Sequence, residues 1–481
     1  MFSASVLLAV LAALHSVAAA KGKTQYCTLK ASGGDDSPTI EHAFRASTRF
    51  ARQHSRCEHV TIPADQNLLI GTKLNTTGLE DTHVRLLGKM TLKPDVSMAT
   101  RILYLMEAQL IIHVQVDYWR DNAFNVTYQV NSAAWLFGGK NVILDGEGQG
   151  EINGNGQTFY DARIANDSLR PPHLMLAYKA NGMTLRNFKI RQSPRWTILV
   201  HSSKHVEIHD LDIRSRSDTW ALGRESNRET DGVDIYDSKY IFIHDMKIDN
   251  GDDCISFKPN ATSIYVSNIW CNGTHGCSVG SLGEYEGVLD IVEDIYVNNV
   301  TIQNSENGPR IKTWGGAGRG YGRVNQVVFS NFEHINNDSP VTIDNCYKTS
   351  PDDCLATPSL MTISNVYFTN QKGTSSGKYG NAAIALVCSV GKCSNIHLDN
   401  ISLKAPSECG DTVYANHHVN VQGNAAYLFQ SDAATYGAGG INPDNSTVSG
   451  VRCENGQVVP IINDDNGGAS AAKFRRDWND M

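Results

Sequence analysis

Residues 205–213 read His-Val-Glu-Ile-His-Asp-Leu-Asp-Ile. An alternating run, a turn-forming Asp and a second alternating run predict strand, corner and strand. The unit recurs from about residue 180 to residue 403. It is found as Asn187-Phe-Lys-Ile190, Asp210-Leu-Asp-Ile213, Asp245-Met-Lys-Ile248 and Asn268-Ile-Trp-Cys271. Asn299-Val-Thr-Ile302, Asn331-Phe-Glu-His334, Asn365-Val-Tyr-Phe368 and Asn400-Ile-Ser-Leu403 continue it. The intervals are 23, 35, 23, 31, 32, 34 and 35 residues. Further short runs, such as Trp196-Thr-Ile-Leu-Val200 and Tyr240-Ile-Phe-Ile243, lie between. Several short strands per repeat, at periods of 20–50, are the signature of a solenoid. Each coil buries its apolar column against the next, and the uneven intervals become loops of uneven length, the material of a cleft. The fold expected is therefore all-β and coiled.

Outward from this core, Ile40–Gln53 has helical spacing, with Phe44 and Phe50 as apolar members. It is expected to cap the open N-terminal end, where strand edges would otherwise be bare. Residues 1–20 carry a short apolar core, Val6–Ala13, and a small-residue run ending at Ala20. They read as a secretory signal, leaving 21–481 as one domain. The nine Asn-x-Ser/Thr sequons at Asn75, Asn125, Asn166, Asn260, Asn272, Asn299, Asn337, Asn400 and Asn445 agree with a secreted, extracellular glycoprotein. Eleven Cys fall into near-neighbour couples, Cys27/Cys57, Cys254/Cys271, Cys346/Cys354, Cys388/Cys393 and Cys409/Cys453, which are candidate disulfides. Cys277 is left over and is expected to act as a small buried hydrophobe.

The 481 residues are 41% hydrophobic and 19% charged, which is a globular balance. A net charge of −8 supplies no basic field for nucleic acid, and no further apolar run is long enough to span a membrane. A monomer is expected. An acidic ligand has to be held by a local cluster of cations.

Such a cluster stands beside a set of acids. Asp231 lies in Glu229-Thr-Asp-Gly232, Asp252 and Asp253 in Gly251-Asp-Asp-Cys254, and His275 in Thr274-His-Gly276. From Asp231 to Asp253 is 22 residues, and from Asp253 to His275 is 22 again. With a 22-residue coil these side chains stack on neighbouring strands, about 4.8 Å apart. Asp252 and Asp253 both reach one site only if the backbone bends, for which Gly251 is suited. Arg310-Ile-Lys312 puts two cations on one side of a strand. Paired carboxylates are what glycoside hydrolysis needs, crowding keeps one of them protonated, and Arg with Lys suits an acidic sugar.

In order and residue type, Thr230-Asp-Gly-Val-Asp234, Gly251-Asp-Asp-Cys254, His275-Gly-Cys-Ser-Val-Gly-Ser281 and Arg310-Ile-Lys312 resemble the polygalacturonases, a family of pectin-degrading glycoside hydrolases. Leu144–Gln157, Arg170-Pro-Pro172 and Ser193-Pro-Arg-Trp196 extend the resemblance to about residues 140–403. Phe257-Lys-Pro-Asn260 and Ser278-Val-Gly-Ser-Leu-Gly283 are most similar to the fungal exo-acting branch. The resemblance implies a right-handed parallel β-helix and inverting hydrolysis of α-1,4-linked galacturonic acid from the non-reducing ends of polygalacturonate. It implies Asp252 as general acid, Asp231 and Asp253 as the water-activating pair, and His275 as the group that sets their protonation. Arg310, Lys312 and Tyr347 would bind the substrate, with no metal and no cofactor. Glu229, Thr274 and Cys277 depart from the family, which has Asn, Gly and an aliphatic residue there. Glu229 is expected to pair with Arg224 or Arg228. A xylogalacturonan or rhamnogalacturonan hydrolase, an endo-acting polygalacturonase, a calcium-dependent lyase and a non-catalytic binding solenoid stay open as alternatives.

Overall fold

The structure is a computed structural model that describes residues 25–45, 57–93, 118–119, 121–221, 224–378, 382–404, 415–419, 451–454 and 457–460. The expected signal segment 1–20, the second half of the expected capping helix with Phe50, Cys409 and the sequon at Asn445 lie outside them.

Twenty-seven strands join in one sheet that coils on itself, and successive coils pair in parallel. This is a right-handed parallel β-helix, the hand that parallel crossovers take almost without exception. Its interior is built from stacked columns. Val200, Ile235, Phe257, Val279, Ile311 and Ile343 are register partners on six consecutive coils, all fully buried. Cys277 follows Ile198, Val233 and Ile255 in a neighbouring column, and burial pushes its thiol up to about 12, so it acts as a hydrophobe.

Disulfides join Cys27–Cys57, Cys254–Cys271, Cys346–Cys354 and Cys388–Cys393, four of the five expected couples. The fifth couple, Cys409/Cys453, includes Cys409, which lies outside the described residues. Cys453 belongs to the strand Val451–Glu454, outside the coiled sheet, in a two-stranded antiparallel ribbon where its register partner is Val458. The four bridges close 5 to 30 residues, at most about one coil, so the stacking itself brings their ends together.

The recurrent Asn and Asp mark one corner. Asp245, Asn268, Asn299, Asn331, Asn370 and Asn400 all have φ between 54° and 58°, a left-handed bend these side chains tolerate. Their amides bond along the stack, Asn268 to Asp245, Asn299 to Asn268 and Asn400 to Asn370. Asn365, which the sequence places in this series, belongs to another corner, where Asn395 donates to it. Asn370 is the true member. The two corners carry the same residue type and the same φ, so spacing alone does not separate them.

The N-terminal helix spans Ser37–Arg45 and lays Ile40, Ala43 and Phe44 on the first coils, with the Phe44 ring edge-on to Phe137 at 6.2 Å. One sequon is excluded as a glycan site. Asn337 is fully buried, its amide donates to the Ile302 carbonyl, and its oxygen accepts the Ser305 N–H. Asn125, Asn166, Asn260, Asn299 and Asn400 are exposed, and Asn75 and Asn272 are half-buried.

Candidate active site

The register that stacks Val233, Ile255 and Cys277 sets Asp231, Asp253 and His275 two residues ahead of them, at the same end of three strands. The turn that carries Asp252 and Asp253 is tied down by neighbours. Gly251 donates its N–H to Thr230 Oγ1 at 3.0 Å, and the Asn250 amide donates to the carbonyls of Thr230 and Asp253. A Cβ on Gly251 would stand 2.5 Å from the Asn227 side chain, so only glycine lets the chain pass. The bend turns both tandem acids into one site. The nearest oxygens of Asp231, Asp252 and Asp253 lie within 4.8 Å of one another.

Each acid has its own partner. His275 Nδ1 is 3.2 Å from Asp252 Oδ1, and its Nε2 is 3.3 Å from Glu306 Oε1. Asp252 also accepts the N–H groups of Asp253, at 2.8 Å, and Glu229, at 3.1 Å. Asp253 accepts from Lys312 Nζ at 2.8 Å and from Ser278 Oγ at 2.6 Å. Asp231 and Asp234 share the buried Lys258, whose Nζ is 3.5 Å from one and 3.2 Å from the other. Arg310 and Lys312 lie 5.4 and 5.7 Å from the Tyr347 ring centroid, and Arg310 Nε is buried with no partner among the described residues. The arrangement thus brings all seven residues that the sequence nominated to one face.

The resting charges differ from the sequence expectation. Burial drives Asp231 upward, Asp234 and Asp252 add to this, and its pKa stands well above the usual carboxylate range. Burial also raises Asp252 and Asp253, but cations outweigh it. The His275 imidazolium holds Asp252 below the usual range, and Lys312 with Lys258 does so for Asp253. Burial would strip His275 of its proton, yet Asp252 and Glu306 on its two sides hold its pKa well above the imidazole range. These shifts favour His275 over Asp252 as the holder of the proton, and Asp231 is the acid of the three most inclined to hold one. The charge a metal ion would bring to these acids is already supplied by two ammonium groups.

Four participants were not singled out in the sequence. Lys258 and Asp234 both sat inside the quoted motifs, and Lys258 shares strand parity with the outward Ser256. Glu306 follows His275 by 31 residues, the same step as Asn268 to Asn299. Arg195 gave no spacing signal. It settles the family departure at Glu229, whose carboxylate takes the Arg195 guanidinium at 3.0 Å. The expected partner Arg228 pairs instead with Asp167, and the side chain of Arg224 lies outside the described residues. Nor do Glu229 and Asp231 share a strand face, because Glu229 sits at φ 60° ahead of the strand. The Glu229→Asn variant is expected to keep turnover within a few-fold of wild type, since the charge points at Arg195. It should lose about 1 kcal/mol of stability, the worth of a typical hydrogen bond. Calorimetry and initial rates check this, and a large loss of turnover at unchanged melting temperature would place Glu229 in the chemistry.

One outward column of the coils changes character along the helix axis. It runs Leu176, Leu199, Asp234, Ser256, Ser278, Arg310 and Thr342. The first two are buried under Val126, Tyr128, Ala133 and Trp196. The Tyr128 ring stacks on Tyr236 at 4.3 Å, and Gln129 Nε2 donates to Glu284 Oε2 at 2.9 Å across the face. The polar stretch thus has a wall on the N-terminal side of the acids and cations on the C-terminal side.

The family model described as glycosyl hydrolases family 28 matches residues 53–422. "Exopolygalacturonase X-2" of Emericella nidulans is 36% identical over 409 residues, covering 81% of this chain and 82% of that protein. "Probable exopolygalacturonase B" of Neosartorya fischeri is 36% identical over 381 residues, covering 78% of each. Among solved structures, the endo-xylogalacturonan hydrolase from Aspergillus tubingensis superposes with a TM-score of 0.70 at 26% identity, over 82% of this chain and 96% of that one.

Proposed function

The chain belongs to glycosyl hydrolases family 28, and from that premise we propose that it is a secreted exo-polygalacturonase, releasing galacturonic acid from the non-reducing ends of polygalacturonate with inversion. The observation that carries this reading is the asymmetric cleft: clustered acids, buried cations on one side, a wall on the other. Arg310, with its unpartnered Nε, is the natural anchor for a sugar carboxylate, and Tyr347 offers a ring beside it. The wall of Tyr128 and Gln129, tied to Glu284 across the face, supports a cleft bounded on that side, as action at a chain end requires. The exopolygalacturonase names of the fungal relatives support the same reading. The leader read at residues 1–20 supports export. Among the described residues no helix is long and apolar enough to cross a membrane.

In the displacement, the proton held on His275 Nδ1 passes to Asp252 and from it to the leaving oxygen. Asp253, held ionised by two ammonium groups, and Asp231 bind the attacking water, which loses one proton to this pair as its oxygen bonds to the anomeric carbon. Inverting enzymes commonly separate their carboxyls by about 6.5–9.5 Å. The nearest oxygens here, within 4.8 Å, are closer than that expectation. One water bonded to two oxygens at about 2.8 Å each still bridges up to about 5.6 Å, so such a gap holds the nucleophile. Digestion of polygalacturonate followed by proton NMR tests the whole reading. Monomer as sole early product, slow loss of viscosity and an inverted anomer are expected. Early oligomers would establish endo action, a retained anomer would exclude the direct displacement, and cleavage of xylogalacturonan alone would favour the substrate of the Aspergillus tubingensis neighbour.

A further inference from the structure

Asp234 has no part in the scheme above and Lys258 enters it only as a cation beside Asp253, yet both are buried at its centre. Asp234 is wholly inaccessible, and Lys258 is 4% exposed. The Lys258 ammonium is 3.2 Å from Asp234, 3.5 Å from Asp231 and 3.9 Å from Asp253, and lies 4.4 Å from the Trp196 ring centroid. Asp234 Oδ1 faces that ammonium, while Asp234 Oδ2 and Asp231 Oδ1 lack a hydrogen-bond donor among the described residues. Two buried carboxylates in that position find a mutual hydrogen bond only when one of them carries a proton. The groups facing the pair are Lys258, Asp253 and Asp252 from the next coil, with Tyr128 against Lys258 from the wall. Lys312 and His275 act on it through Asp253 and Asp252.

We propose that Asp234, tethered by Lys258, is a positioning residue that shares one proton with Asp231 and thereby lets Asp231 receive the proton of the attacking water. In balance, the water O–H breaks as its oxygen bonds to the anomeric carbon, and the proton passes to Asp231. The shared proton moves toward Asp234, while the leaving oxygen takes the His275 proton passed on by Asp252. The proposal rests on the hydrolase reading of this site. Burial raises Asp234 to about 6, with Lys258 opposing, which puts the pair's titration within the working range of an enzyme.

The test is the pH profile of kcat/KM, whose acidic limb falls as the base of the free enzyme is protonated. Lys258→Met removes the cation from Asp231 and Asp253, raises their affinity for protons, and moves that limb to higher pH. Asp234→Asn removes the competing charge and offers Asp231 an amide donor, so the limb moves to lower pH. Each shift is expected to be on the order of one pH unit. The double variant, which removes the ion pair as a unit, should lie between them. Carbon-13 titration of the aspartate carboxyls reads the same pair without substrate. In wild type the two should titrate together, and in Asp234→Asn the partner should titrate alone and lower. A limb that stays put in both single variants, with only melting temperature lost, would overturn the proposal. So would independent titration of Asp231 and Asp234 in wild type. Inactivity of the wild type on polygalacturonate would instead overturn the hydrolase reading, and the carbon-13 titration would still decide on the pair.

Discussion

Asp252→Asn is expected to lower turnover by about 10²–10⁴, the usual worth of a positioned general acid, while the protein still folds. The side chain is nearly isosteric, and Thr230, Asn250 and Gly251 hold the turn around it in addition to the two backbone N–H groups that the carboxylate accepts. A second effect separates this variant from a simple packing defect. Asp252 is the first of the two anions that hold the proton on His275, with Glu306 as the other. Removing it should lower the imidazole pKa, read by proton NMR of His275. Turnover within about threefold of wild type would remove Asp252 from the role of acid. An unmoved His275 titration would remove the proton store from the mechanism.

Lys312→Ala is expected to have the next largest effect. The sequence reading gave Lys312 to the substrate carboxylate, but its Nζ is already bonded to Asp253 at 2.8 Å. Its loss acts twice. Asp253 keeps the Ser278 hydroxyl and the more distant Lys258, at 3.9 Å, so it holds its proton more tightly and activates water less well. The adjacent subsite also loses a cation 5.7 Å from the Tyr347 ring. A charge-assisted contact is worth about 1.5–3 kcal/mol, so kcat/KM should fall at least about tenfold to 150-fold. The fall should appear in kcat at low pH and partly recover as pH rises through the new pKa of Asp253. Lys312→Arg should recover part of it. Stability loss with both kinetic constants unchanged would return Lys312 to a purely structural place.

Much of this molecule was legible in the chain. A coil is a local object, and its corners need residues that tolerate positive φ, so Asp210, Asp245, Asn268 and Asn299 announce them. The 22-residue steps from Asp231 to Asp253 to His275 equal the coil length there, and the strand register repeats those steps. That is why acids, imidazole and the Arg310/Lys312 pair could be placed on one face before any coordinates. The series failed at Asn365, where two corners use the same residue type and only strand pairing tells them apart. It failed again at Asn337, a sequon whose burial depends on the coils above and below. Pairing cysteines by nearness worked within a coil, as at Cys254–Cys271 and Cys346–Cys354, because stacking brings such ends together. Charge was the least legible property. Where each proton sits depends on burial and on partners such as Glu306, Lys258 and Arg195, and these meet the acids only across coils or from loops of unrelated length. The wall of Tyr128 and Gln129 is of the same kind, since it lies more than a hundred residues from Tyr236 and Glu284, which it meets. Sequence by itself determined the periodic part, the coil and the residues carried at its period. Tertiary structure alone decided protonation and the wall beside the acids, because burial, the Arg195 contact and the wall's contacts have no period in the chain.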